Sequence, residues 1–277
     1  MTAHLDHRRA GTSPTRPTVS SIGFGNLLRS EWTKLRTVRS TYWTAAAAAL
    51  ATLSIGALLC GYWANSLRTH PDRLTQFDDP ISTSLTGIFL AQVAVGTLGV
   101  LIISSEYGTG MIKATFTAVP QRRAILAAKG LVFAGATLIG GEIVSFLAFS
   151  LGQLILSSQH AGASLHQPGA LRATVGGGLY LAAVGLLGFG IGALIRHTAG
   201  ALSAFFALLF ASSALVDLLP PSLHHIIEYM PANAGSQIFT AHHQLGALQP
   251  WAGLGVFCLY VTTALTAATI LINRRDT

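Results

Sequence analysis

The sequence predicts an all-α integral membrane protein in which six transmembrane helices follow a cytoplasmic amphipathic interface helix. Three observations carry that fold class: six long apolar stretches, a one-sided distribution of Lys and Arg between them, and a segment of helical periodicity just before the first stretch. The expected organisation is a disordered cytoplasmic tail at residues 1–19, the interface helix at 20–40, the six-helix domain at 41–272 and a cytoplasmic C-terminus at 273–277.

The spans come first because a bilayer needs only about 20 consecutive apolar residues. Arg39 and Arg68 bracket an uncharged run from Ser40 to Leu67, and Asp79 and Glu106 bracket another from Pro80 to Ser105. A third begins after Lys129 and continues to about Leu156, interrupted by one acid, Glu142. The fourth lies between Arg172 and Arg196, the fifth runs from Thr198 to about Leu219, and the sixth from Trp251 to Ile272. Cytoplasmic segments retain positive charge during insertion, so the gaps set the orientation. Of the 17 Lys and Arg residues, 14 fall on the side of the N-terminal tail, and only Arg68, Arg73 and Arg172 fall opposite. Both termini are therefore expected in the cytoplasm of a plasma-membrane protein. The net charge of +7 is accounted for by topology, and no basic helix with interleaved aromatics points to nucleic acid.

With 51% hydrophobic and 10% charged residues in 277, the chain has material for one bundle and no separate soluble domain. The largest pieces outside the spans are the first 40 residues and the stretch from Pro220 to Pro250. Cys60 and Cys258 both fall inside spans and are expected to be small buried hydrophobes. The polar N-terminal tail lacks the apolar core of a signal peptide.

Between Phe24 and Tyr42 the apolar residues Phe24, Leu27, Leu28, Trp32, Leu35, Val38 and Tyr42 recur at helical steps, with Arg29, Thr33 and Arg36 opposite. Glu31 violates the pattern by projecting between Leu27 and Leu35 on the apolar face. A carboxylate there requires a partner, unless it lies at the edge of the stripe and reaches solvent. Between spans two and three, Gly108 and Gly110 can turn the chain, Thr109 to Ala118 can form about two helical turns, and Pro120 stops them. This has the punctuation of a docking element, although a solvated turn between spans is the plainer alternative.

Glu31-Trp-Thr-Lys-Leu-Arg36, Glu106-Tyr-Gly-Thr-Gly-Met-Ile112 with Pro120-x-Arg-Arg and Lys129, Gly188-Phe-Gly-Ile-Gly-Ala-Leu-Ile-Arg-His-Thr-Ala-Gly200, and Tyr229-Met-Pro-Ala-Asn233 occur in that order. Together they resemble type 2 ATP-binding-cassette (ABC) exporter permeases, particularly small actinobacterial members, over residues from about 24 to 273. The resemblance implies a permease subunit that forms the substrate path, pairs with a second copy or a homologue, and is driven by a cytoplasmic ATPase. ATPase coupling is expected through Glu106, Tyr107, Gly108, Thr109, Gly110, Met111, Ile112 and Lys113, with the interface helix contributing Glu31, Trp32, Lys34, Leu35 and Arg36, because both segments are expected on the cytoplasmic side and each directly precedes a span. No Gly-x-x-x-x-Gly-Lys-Ser/Thr loop is present, so the chain is expected not to be an enzyme and to bind no cofactor. ATP and Mg are expected on the partner ATPase.

Glu142 is the ionisable residue nearest the middle of a span, where an acid is costly. It could line the substrate path, accept a hydrogen bond from Ser145 or another helix, or be protonated and structural. Gly188 and Gly192 form a Gly-x-x-x-Gly face for close packing, within the bundle or at a subunit interface or hinge. His224, His225, His242 and His243 lack a recognised metal spacing and read as surface histidines. No His-Glu-x-x-His or Gly-x-Ser-x-Gly marks a membrane protease, and spans one to three show no similarity to spans four to six that would suggest the repeats of a secondary transporter. That class, or a multi-pass protein without transport activity, is the alternative. Glu31 and Glu106 are expected to seek cations among Lys34, Lys113, Arg122, Arg123 and Arg196, with Glu106 the more important because it anchors the segment that follows.

Overall fold

A computed structural model describes residues 23–37, 39–70, 77, 79–108, 122–216, 220–241 and 246–275. Among these residues the chain is all helical, without strands. Helix α1 (Phe24–Thr37) precedes α2 (Arg39–Thr69), α3 (Pro80–Leu85), α4 (Ile88–Gly108), α5 (Arg122–Ser157), α6 (Ala170–Ile195), α7 (Thr198–Val216), α8 (Pro231–Ser236) and α9 (Pro250–Arg275), with 3-10 turns at Pro221–Tyr229 and Gln237–Phe239. Among the described residues, five segments are long and apolar enough to cross a membrane: Thr41–Thr69, Pro80–Gly108, Arg123–Ser157, Ala170–Ile195 and Pro250–Leu271. The fifth predicted span corresponds to a shorter apolar helix over Thr198–Ala211.

Helix α6 is the axis of the bundle. Its side chains are predominantly buried, and Tyr180, Leu187 and Phe189 are almost fully enclosed. Glycines let α4 and α6 approach at backbone distance. A Cβ on Gly188 would meet the Gly96 carbonyl, and one on Gly192 would meet Val100 and Ile103. In lipid, where apolar side chains gain little by leaving the solvent, such backbone approach supplies the packing energy. Gly188 and Gly192 thus lie against a helix of the same chain.

Helix α2 is peripheral, and its exposed aromatics mark two levels. Tyr42 and Trp43 are 52% and 75% exposed at one end, and Tyr62 is 65% exposed near the other. At 1.5 Å per residue the helix between Tyr42 and Tyr62 is about 30 Å long, the thickness of the hydrocarbon layer, and aromatic residues favour its two boundaries. Exposed aromatics thus stand at both ends of α2, about one hydrocarbon thickness apart.

The second apolar run is two helices, not one. Asp79 caps α3 by accepting hydrogen bonds from the Ser82 amide (2.8 Å) and hydroxyl (2.5 Å), and Pro80 occupies the first turn, where its missing N–H costs nothing. The chain turns at Thr86–Gly87, where a Cβ on Gly87 would strike the Thr52 carbonyl of α2. The third span also begins earlier than its charge pattern suggests, because α5 starts at Arg122 and carries Lys129 two turns inside the helix.

The stretch after Pro220, read as non-membrane, folds back onto the bundle. Ala234, Ile238 and Phe239 are buried, and the Phe239 ring packs 5.2 Å from that of Tyr180. Arg172 holds this segment in place, its guanidinium donating to the carbonyls of Ile238 (3.1 Å), Thr240 (3.0 Å) and Ala241 (3.0 Å). Cys60 is buried beside Ser84, but Cys258, expected to be buried, is exposed because α9 lies at the bundle edge and turns one side outward.

Candidate functional site

Helix α1 seats a narrow stripe against α5. Leu27 and Glu31, one turn apart, are its buried residues, and Leu27 packs with Ile125 and Ala128. Phe24 and Trp32 of the same predicted apolar face remain 42% and 49% exposed, so only part of that face meets protein. Glu31 lies at the centre of the seated stripe, not at its solvent edge, and is 6% exposed.

The burial is sustained by a four-residue charge cluster. Lys129 of α5, 5% exposed, donates to Glu31 Oε2 at 2.5 Å and to Glu106 Oε1 at 2.7 Å. Lys34 donates to Glu31 Oε1 at 2.7 Å and stands 3.8 Å from Glu106. Two acids and two bases from α1, α4 and α5 thereby neutralise one another, which is the condition for keeping charges in a low-dielectric site. Burial pushes the Glu31 carboxyl up, but the hydrogen bonds and charges of Lys129 and Lys34 outweigh it and hold the group below the usual carboxylate range. Burial likewise pushes Lys34 down, and its bond to Glu31, with the nearby Glu106 charge, moves the ammonium above its ordinary value.

Lys129 was absent from the expected cations, of which Lys34 alone is seen in the cluster. Its separations from Glu31 and Glu106, 98 and 23 residues, leave no local periodicity to read. A signal was present: an isolated lysine two turns inside an apolar helix cannot reach water easily and demands a carboxylate. Of the other candidates, Arg196 lies 4.9 Å over the ring of Tyr107, a cation–π contact joining the α6–α7 turn to the end of α4. Gly108 closes α4, and Leu35 lines a crevice beside the cluster, while Arg36 is exposed. Thr109, Gly110, Met111, Ile112 and Lys113 lie outside the described residues, as do Val38, His242 and His243.

Glu142 is not part of this cluster. It is half-buried against α6, where a Cβ on Gly178 would meet its carboxyl, and its Oε2 has no hydrogen-bond partner among the described residues. Ser145, considered as its donor, instead donates to the Thr174 carbonyl at 2.5 Å. No group of three metal-ligating residues occurs among the described residues.

Among the described residues, five membrane-length apolar helices, one of them the glycine-packed axis, define a multi-pass membrane protein. The family model for the ABC-2 family transporter protein matches residues 27–214, more than half of the chain, and the protein belongs to that family. It is thus an ABC-type membrane permease, a membrane component in a family whose members generally work with a cytoplasmic ATPase and are not themselves catalytic. Compared with the curated proteins, the chain matches none.

Proposed function

We propose that this permease is the transmembrane subunit of an exporter, with α7 as its sixth span, α1 as a cytoplasmic interface helix and both termini in the cytoplasm of a plasma-membrane protein. It forms the substrate path with a second copy or a homologue and is driven by a separate ATPase that carries ATP and Mg. The observation that supports this reading most is the Glu31–Lys129–Glu106 cluster. It ties the interface helix to the end of α4 and the start of α5, the two ends joined by residues 109–121.

The mechanism follows from that placement. A force applied to residues 109–121 acts on both flanking helices, and Lys129 makes α1 move with them as one body. Tyr107 and Arg196 extend the same connection to the turn before α7. The substrate-path helices would then be displaced together instead of hinging separately, as rigid-body rocking requires.

Purified alone, the chain is expected to neither bind nor hydrolyse ATP. Deleting residues 109–118 should leave membrane insertion intact while abolishing binding of the companion ATPase and substrate-stimulated turnover. Normal stimulated turnover in the deletion variant would overturn the coupling assignment, and ATP turnover by the pure chain would overturn the division of labour.

A further inference from the structure

Glu142 lies near the middle of the apolar segment Arg123–Ser157, where α5 meets α6. Its seat on α6 is made of backbone: a Cβ on Gly178 would stand 2.4 Å from the carboxyl carbon, and Gly141 packs against the same glycine. The side chain is half-buried, and its neighbours Ile139 and Ile143 are 63% and 55% exposed, so it borders the outward apolar face of the bundle. Among the described residues Oε2 has no hydrogen-bond partner, and no cation pairs with the carboxyl. Lys129, about 20 Å away along α5 at 1.5 Å per residue, is engaged by Glu31 and Glu106. On α6, Arg172 is held by the carbonyls of Ile238, Thr240 and Ala241, and the Tyr180 hydroxyl donates to Gln92 Oε1. The segments 40–67, 80–105 and 250–273 of the other long helices contain no charged residue, and Cys60 of α2 lies beside Ser84.

We infer that Glu142 is a proton-binding site, a carboxyl that holds its proton within the membrane while seated against α6. An ionised acid at the centre of a span is costly, and without a fixed counter-charge it is neutralised by a proton or by a mobile cation. The surroundings select the proton. A hard metal cation takes about six oxygen ligands, whereas this carboxyl stands among glycine and isoleucine, and the hydroxyl of Ser145 is committed to the Thr174 carbonyl. The site has a direction of linkage. A form in which α5 lifts off Gly178 and brings the carboxyl to water holds the proton less tightly, so acid favours the seated form and proton release accompanies its opening. The inference needs α5 to span the membrane and does not rest on the ATPase partnership.

The test uses the full-length chain in lipid nanodiscs without an ATPase, so its outcome is independent of the coupling experiment. At about pH 8, carboxylates in water are ionised. Infrared spectroscopy of the wild type at that pH should still show the carbonyl stretch of a protonated carboxyl, and Glu142→Gln, nearly isosteric with the neutral acid, should lose it. Dicyclohexylcarbodiimide, which reaches the site through lipid, reads the same proton chemically. The acid proton moves to a carbodiimide nitrogen as the carboxyl oxygen bonds to the central carbon, and the resulting O-acylisourea rearranges to a stable N-acylurea. Peptide mass spectrometry should find the adduct on Glu142 and leave Glu31 and Glu106, which are bonded to Lys129 as carboxylates, unmodified. Neither sodium nor octylamine should slow the labelling. If Glu142→Gln does not insert, labelling of the wild type decides alone. Identical infrared spectra for the two proteins, no adduct on Glu142, or protection by either added cation would overturn the assignment.

Discussion

Replacing Lys129 by Met removes the centre of the charge cluster at nearly constant side-chain length. The variant loses bonds of 2.5 Å to Glu31 and 2.7 Å to Glu106, leaving two carboxylates that are 7% and 13% exposed. Removing one member of a buried ion pair costs about 3–5 kcal/mol because the remaining charge is stranded. Lys34 still holds Glu31 at 2.7 Å, although water screens this partly exposed lysine, so the lower end applies. About 3 kcal/mol corresponds to roughly a 150-fold increase in the population with α1 detached. Hydrogen exchange reads this locally: amides of Leu27 to Leu35 should lose protection by about that factor, while those of α6 remain protected. Adding Glu31→Gln should recover part of the loss, with a coupling energy of at least about 1 kcal/mol between the two substitutions. Unchanged α1 protection in a correctly inserted Lys129→Met protein would refute the reasoning, since these charges would then be no more than a solvated cluster.

Glu31→Gln and Glu106→Gln should each impair ATPase-coupled transport more than insertion, read as transport rate per inserted molecule. Glu31 has two close ammonium partners and lies deeper, so the geometry favours it as the stronger effect, where the sequence alone favours Glu106. The two pKa shifts give a pH profile with opposite signs at its ends. Glu31, lowered from 4.5, contributes stability above that pH and loses it as pH falls through its lower folded value; Lys34, raised from 10.5, contributes below that pH and loses it as pH rises through its higher folded value. Exchange protection of α1, corrected for intrinsic rates, should therefore be flat from about pH 5 to 10 and decline outside that window. In the bundle, Gly188→Ala should lower thermal stability by about 1–3 kcal/mol through a clash with the Gly96 backbone, whereas Gly61→Ala, with nothing within 4 Å, should not. Equal melting temperatures would contradict the packing argument.

Hydropathy and charge made the principal helices legible because each depends on residues adjacent in sequence. The α3–α4 break was not, since it is imposed by contact between Gly87 and the Thr52 carbonyl of another helix. The return of residues 231–239 into the bundle was hidden for the same reason: it depends on Arg172 meeting carbonyls more than 60 positions away. At the candidate site, the 3.6-residue period located Glu31 on the seated face and implied that it needs a partner. It could not identify Lys129, because pairing across 98 residues is a product of the tertiary fold.

The two ends of the bundle are fastened by different chemistry, and this bears on how motion would pass through it. At the α1 end the fastening is ionic and neutral overall, made by side chains of three helices around one ammonium. At the other end Arg172 is held by backbone carbonyls, and Ser82 Oγ accepts from the Ala241 amide while donating to Asp79. Between them α4 and α6 approach through glycines at Gly96–Gly188 and Gly99–Gly185, with the Tyr180 hydroxyl donating to Gln92 Oε1 toward the Arg172 end, so small sliding is cheapest on the side of the charge cluster. A side-chain ion pair can exchange partners, as Lys34 beside both Glu31 and Glu106 already permits, without exposing backbone groups to lipid. The carbonyl clamp cannot open without removing the guanidinium donor from three backbone carbonyls at once. Rearrangement should therefore begin at the charge cluster and pass along the glycine seam, with the Arg172 end acting as the fixed point.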